Sequence, residues 1–118
     1  MKYFFVYALL LFTSLHVHAQ KPKSGIYTYK VSFAEFRGKS FGATCTVKIK
    51  GDSIIVINNG CLSGDKGGII DAGIILQHKK SGQWIIAHDK NDINAKDIGG
   101  CSGGPLVIDF KRKIFETC

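Results

Sequence analysis

The stretch Phe41-Gly42-Ala43-Thr44-Cys45-Thr46-Val47-Lys48-Ile49-Lys50, with Gly51-Asp52 and Ser53-Ile54-Ile55-Val56-Ile57-Asn58 after it, decides the fold. Phe41, Ala43, Cys45, Val47 and Ile49 are apolar at every second place, and Thr44, Thr46, Lys48 and Lys50 fill most of the gaps. Successive strand side chains point to opposite faces, so a period of two sorts core from solvent. Ser53–Ile57 is β-branched and apolar almost throughout, as in a strand covered on both faces. Asn58-Asn59-Gly60 then supplies a turn. Residues 41–58 are expected to form a hairpin with Phe41 on the inward face.

Working outward, Gly25–Phe33 alternates in the same way, with Tyr27, Tyr29, Val31 and Phe33 on one side and Thr28, Lys30 and Ser32 on the other. Ile69-Ile70 and Ile74-Ile75-Leu76 flank Asp71-Ala72-Gly73, which reads as one strand with a bulge at Gly73 or as two short pieces. Lys79–Gly82 turns the chain into Trp84-Ile85-Ile86-Ala87. Asp89–Gly100 has few β-formers; Asp89 or Asp92 would cap a short helix there, and Gly99-Gly100 would end it. Pro105–Thr117 reads as a last hairpin around Lys111-Arg112-Lys113. Sequential hairpins predict an all-β fold with one short helix at most. Its form is a small antiparallel meander closed into a barrel or folded into a two-layer sandwich.

Residues 1–19 read as a secretory signal peptide. Lys2 supplies a positive charge, Tyr3–Leu15 is almost wholly apolar, and Val17-His18-Ala19 places a small residue before Gln20. The apolar run has 13 residues. As a helix it would span ~20 Å, short of a hydrocarbon core of ~30 Å, so no transmembrane anchor is expected. Residues 20–118 then form a single domain, secreted or periplasmic. Its four cysteines, Cys45, Cys61, Cys101 and Cys118, read as two disulfides in an oxidising compartment. Of the three pairings, Cys45–Cys61 and Cys101–Cys118 are expected, because each would brace a hairpin. A zinc site is not expected, for no CxxC pair occurs.

Positive charge is concentrated. Lys21 to Lys50 holds seven basic residues against Glu35 alone, whereas Gly51 to Cys118 holds eight of each sign. Lys30, Lys48 and Lys50 share the polar strand faces and are the candidate contacts for an anionic partner. Specific nucleic-acid binding is not expected, because Tyr27, Tyr29, Phe33 and Phe41 fall on the opposite face from these charges.

Ser102-Gly103-Gly104-Pro105 resembles the active-serine segment Gly-Asp-Ser-Gly-Gly-Pro of chymotrypsin-like proteases, with Cys101 in place of the acidic residue. The resemblance covers four residues and implies a nucleophile at Ser102 served by a histidine; after residue 19 the chain offers only His78 and His88. The competing expectation is a glycine turn entering a strand beside a disulfide. His78 and His88 flank one predicted hairpin and would need a third ligand, such as Asp89, to hold a metal. Asp89–Asp97 is rich in oxygen donors but departs from EF-hand spacing. No catalytic set, metal or cofactor is expected. The reading is a secreted, non-catalytic binding or inhibitory module. Its partner would be a protein, a glycan or an anionic surface component. The alternatives are a small hydrolase using Ser102 or a His78/His88 site, and a structural, surface-associated protein.

Overall fold

The computed structural model describes residues 20–60 and 65–118. The protein is all-β: seven strands close into a barrel in chain order. They are β1 (Gly25–Phe33), β2 (Thr44–Lys50), β3 (Ser53–Asn58), β4 (Ile69–Gln77), β5 (Trp84–Ala87), β6 (Leu106–Asp109) and β7 (Ile114–Thr117). The described residues contain no α-helix; short 3-10 turns occupy Ala34–Phe36 and Lys90–Asn94. The signal-peptide reading of residues 1–19 lies outside the described residues.

Each consecutive pair is antiparallel, and β1 meets β7 in parallel. The parallel seam follows from the strand number. In an up-and-down meander the seventh strand runs the same way as the first, so an odd barrel closes only on a parallel pair. Lys30 pairs with Ile114 and Phe33 with Thr117 across that seam. Among the described residues, closure leaves no edge strand, although β1 runs on past its pairing with β7 and β4 past its pairing with β5.

Alternation builds the core as the sequence indicates. Tyr29, Val31, Cys45, Val47, Ile49, Ile54, Val56, Ile75, Ile86, Ile108 and Phe115 are buried inside. Two expectations change. β3 is covered on one side only: Ile54 and Val56 are buried, while Ile55 is exposed and Ile57 half-buried on the outer surface. The strand covered on both faces is β5. Trp84 and Ile86 pack inward, and Ile85 and Ala87 join Val107, Leu76 and Ile98 in a second, external core. The segment between β5 and β6 folds back over the barrel wall and brings Ile98 to that core.

Phe41 is the second departure. β2 starts at Thr44, and Phe41 has φ 52°, in the left-handed region. That backbone twist breaks the alternation three residues before the strand and turns the ring outward, leaving it 69% exposed.

Of the two expected disulfides, Cys101–Cys118 is formed, with its Cα atoms 4.8 Å apart. It ties the segment before β6 to the residue after β7. Cys45 is a free, buried thiol, so it forms no bridge to Cys61, which lies outside the described residues. The reason is register: Cys45 sits opposite Tyr29 and Asn58 and points into the barrel with them. Burial pushes its thiol up to about 11, so it stays protonated at neutral pH.

Candidate functional site

The outer face of β1 to β4 is assembled by register. Ile26 lies opposite Lys48, Lys48 opposite Ile55, and Ile55 opposite Ala72. The next row holds Lys50, Ser53 and Ile74, and another holds Thr28, Thr46, Ile57 and Ile69. Ile26 is 72% exposed and Ile69 65%. Every outward position in these rows is apolar, hydroxyl or cationic, and none is acidic. Lys48 is thus framed by two isoleucines on a lattice of strands ~4.8 Å apart. Lys30 shares the face but pairs with Thr44, four residues along the ladder from Lys48, or ~13 Å away at 3.3 Å per residue. The three lysines are therefore a pair and an outlier.

The histidines do not form one site. His78 follows Gln77, which pairs with Trp84 beside the β4–β5 turn, whereas His88 follows Ala87, which pairs with Ile74 at the other end of that hairpin. The turn lies next to His78, so the two arms are unequal. His78 is buried, and its Nδ1 is 2.8 Å from Ser81 Oγ and accepts from the Ser81 backbone N–H. Its Nε2 therefore carries the proton donated to the Ala95 carbonyl at 2.7 Å. With the Lys79 N–H on the Ile93 carbonyl, this staples the β4–β5 turn to the covering segment. No group of three metal-ligating side chains occurs among the described residues.

His88 pairs instead with Asp71, which the sequence reading did not single out. The step from Val56 to Ile57 on β3 advances two residues on β4, from Asp71 to Ile69. Ile70 is the extra residue, and the shift sets Asp71 opposite Val56 on the buried side. Asp71 Oδ1 accepts from the Ala72 N–H at 2.9 Å and meets His88 Nε2 at 2.6 Å. Its Oδ2 is buried without a hydrogen-bond partner. A lone carboxylate inside the apolar run Ile69–Leu76 was the signal available in the sequence. The hydrogen bond to Asp71, then its charge, raise the His88 pKa; partial burial lowers it and Asp92 adds a smaller upward push.

A raised folded-state value stabilises the protein fully below the unfolded histidine value of ~6.5. That stabilisation is lost as pH rises through the folded value. Urea unfolding should therefore show stability declining from pH 6 upward through the neutral range. The effect should be on the order of 0.2–1 kcal/mol, because the imidazole is largely exposed. The decline should vanish in His88→Gln; an identical decline in that variant would remove the pair as its source.

His88 and Ser102 line one cleft of about 510 Å³ with Asp92, Lys96 and Asp97. Ser102 Oγ donates to the Gly99 carbonyl at 2.7 Å and accepts from the Gly104 N–H at 3.2 Å. Its hydroxyl thus closes a turn rather than meeting a base. The two glycines of that segment have different reasons: a Cβ on Gly104 would lie 2.0 Å from the Asp97 carbonyl oxygen, whereas Gly103 has open space but a φ of 82°, in the left-handed region. Asp89 caps the second 3-10 turn, accepting from the Asn91 N–H at 2.8 Å, while Asp92 accepts from the His88 and Asp89 amides. Asp89 and Asp92 thus bond backbone amides, and the turn ends at Ala95 rather than at the expected Gly99-Gly100.

Comparison with family models, with curated proteins and with solved structures returns no match for this chain. Among the described residues, no helix is long and apolar enough to cross a membrane.

Proposed function

We propose that this chain is an exported, non-catalytic binding or inhibitory module that holds an acidic protein partner on the outer face of β1 to β4. The observation that carries this reading is the register-built surface on which Lys48 and Lys50 alternate with Ile26, Ile55 and Ile74 and no carboxylate intervenes. Such a surface offers apolar area to bury and cations to steer and orient a partner of opposite sign. Export is part of the proposal. It is supported by the Cys101–Cys118 disulfide, which suits an oxidising compartment, and by the signal-like layout of Lys2, Tyr3–Leu15 and Ala19.

The test is capture of the partner by oxidised protein from the native extracellular or periplasmic milieu. Reversing two central charges in K48E/K50E should weaken capture at least ~10-fold, and added salt should weaken it further. K30E should have a smaller effect, because Lys30 lies apart from the pair. Undiminished capture by K48E/K50E would retire the proposal.

A further inference from the structure

The end of β1 and the loop that follows carry an apolar knob of which Phe33 packs against the core while Phe36 and Phe41 stand out from the barrel. Phe33, Phe36 and Phe41 pack on one another, with ring centroids 6.4, 5.3 and 6.2 Å apart for the pairs 33–36, 36–41 and 33–41. Phe36 remains 48% exposed and Phe41 69%. The knob is held in place rather than trailing. The Phe33 N–H donates to the Lys39 carbonyl, the Gly38 N–H to the Phe33 carbonyl, the Arg37 N–H to the Ala34 carbonyl and the Ala43 N–H to the Ser40 carbonyl. Ser32 Oγ adds a bond to the Gly38 carbonyl.

Two non-glycine residues of this loop, Arg37 and Phe41, occupy the left-handed region, at φ 58° and 52°. Such conformations persist only where surrounding structure imposes them, and they cluster at functional sites. Here the strain has one visible result: Phe41, which the sequence pattern assigns to the core, is turned into solvent. Arg37 and Lys39 lie between Phe36 and Phe41 in the loop, both exposed, and neither forms an ion pair with a described residue, although Arg37 also borders a cleft with Asp109 and Glu116. Glu35 is the loop's one acid.

We infer that this loop is a docking point for an anionic lipid surface, with Phe36 and Phe41 entering the interfacial region and Arg37 and Lys39 meeting acidic headgroups. Three features of the knob favour this occupant. Phe36 stands nearly perpendicular to Phe41, at 86°, and to Phe33, at 76°, so the rings form a ridge and not the flat platform that stacks on a sugar. Phenylalanine also has no polar group to bond a glycan hydroxyl. A second copy of the chain would bring like charges together at Arg37 and Lys39. Exposed apolar rings beside basic residues are the combination that holds peripheral proteins at acidic bilayers.

This inference does not rest on the lysine face of β2. The barrel is closed wholly by strands lying between residues 25 and 117, so residues 20–118 are used for the test, free of the apolar stretch at Tyr3–Leu15. Flotation is measured with vesicles of phosphatidylcholine alone and with vesicles containing about one third phosphatidylglycerol. Unmodified protein should float with the acidic vesicles and weakly or not at all with the neutral ones. F36S/F41S should reduce flotation at least ~10-fold, and R37Q/K39Q comparably. K48Q/K50Q should retain most of it. Both loop variants change exposed side chains; if F36S/F41S loses its unfolding transition, R37Q/K39Q decides. No flotation, equal flotation with both vesicle types, or flotation undiminished in the loop variants would overturn the inference. Vesicle-independent self-association abolished by F36S/F41S would also overturn it, reassigning the knob to contact between copies.

Discussion

Replacing Gly73 with alanine should destabilise the barrel by ~3 kcal/mol, at the upper end for overpacking, although the site is only half-buried. β4 and β5 approach so closely there that a Cβ would lie 2.2 Å from the Ala87 carbonyl oxygen, 3.1 Å from its carbon and 3.2 Å from Ile86 Cγ2. Two of those three atoms are backbone, so no rotamer change relieves the clash. β4 and β5 must part, and their ladder from Ile74–Ala87 to Gln77–Trp84 has only four pairs. Separation would also disturb the anchorage of Asp71 on His88 and open the external core at Ala87. At ~4–8 °C per kcal/mol for a domain of this size, the melting temperature should fall by ~12–24 °C. Gly25→Ala is the control, since its Cβ would meet nothing closer than 3.4 Å. Equal stability of the two variants in urea would show that the strands yield at Gly73.

The second large effect concerns the covalent tie. C101S/C118S should lose ~3 kcal/mol, the chain-entropy estimate for a closed loop of this length, here a sequence separation of 17. More than the unfolded state is involved. Cys101 belongs to the segment that covers β5, and Cys118 directly follows Thr117, the last residue of the parallel seam with β1. Releasing the bond frees both, so amide exchange should accelerate first around Ile98 and Glu116, ahead of the β2–β3 hairpin. Reduction of the native protein should reproduce the loss. If the variant keeps its stability within ~0.5 kcal/mol, the covering segment is held by His78, the capped turn and Ile98 alone.

How far the sequence spoke can be judged residue by residue. Strict alternation in Thr44–Lys50 reported a local fact, the pleat, and local facts survive folding. The barrel rather than the sandwich, and the parallel seam between β1 and β7, depend on strand count and long-range closure, which no window of ten residues contains. β3 and β5 were exchanged as the doubly covered strand, because an apolar run does not reveal whether something later in the chain will fold over it. Phe41 defied its pattern through a backbone angle that apolar spacing cannot encode. Cys45 obeyed its pattern, and the inward face it shares with Val47 is the reason it does not reach a partner. The lysine pair was legible because it follows from pleat and register alone. The Asp71–His88 pair was not, since it required the bulge at Ile70 to set the carboxylate inside.

The parallel seam has an engineering consequence. Thr117 lies beside Phe33, so a linker returning from the last strand to Gly25 must run the length of β1, ~26 Å at 3.3 Å per residue. A circular permutant needs a bridge of about eight or more extended residues, where an even-stranded meander would need a tight turn. For the same reason, a reporter fused behind Cys118 emerges beside the phenylalanine ridge and would obstruct a bilayer, whereas one fused ahead of Gly25 points away from it.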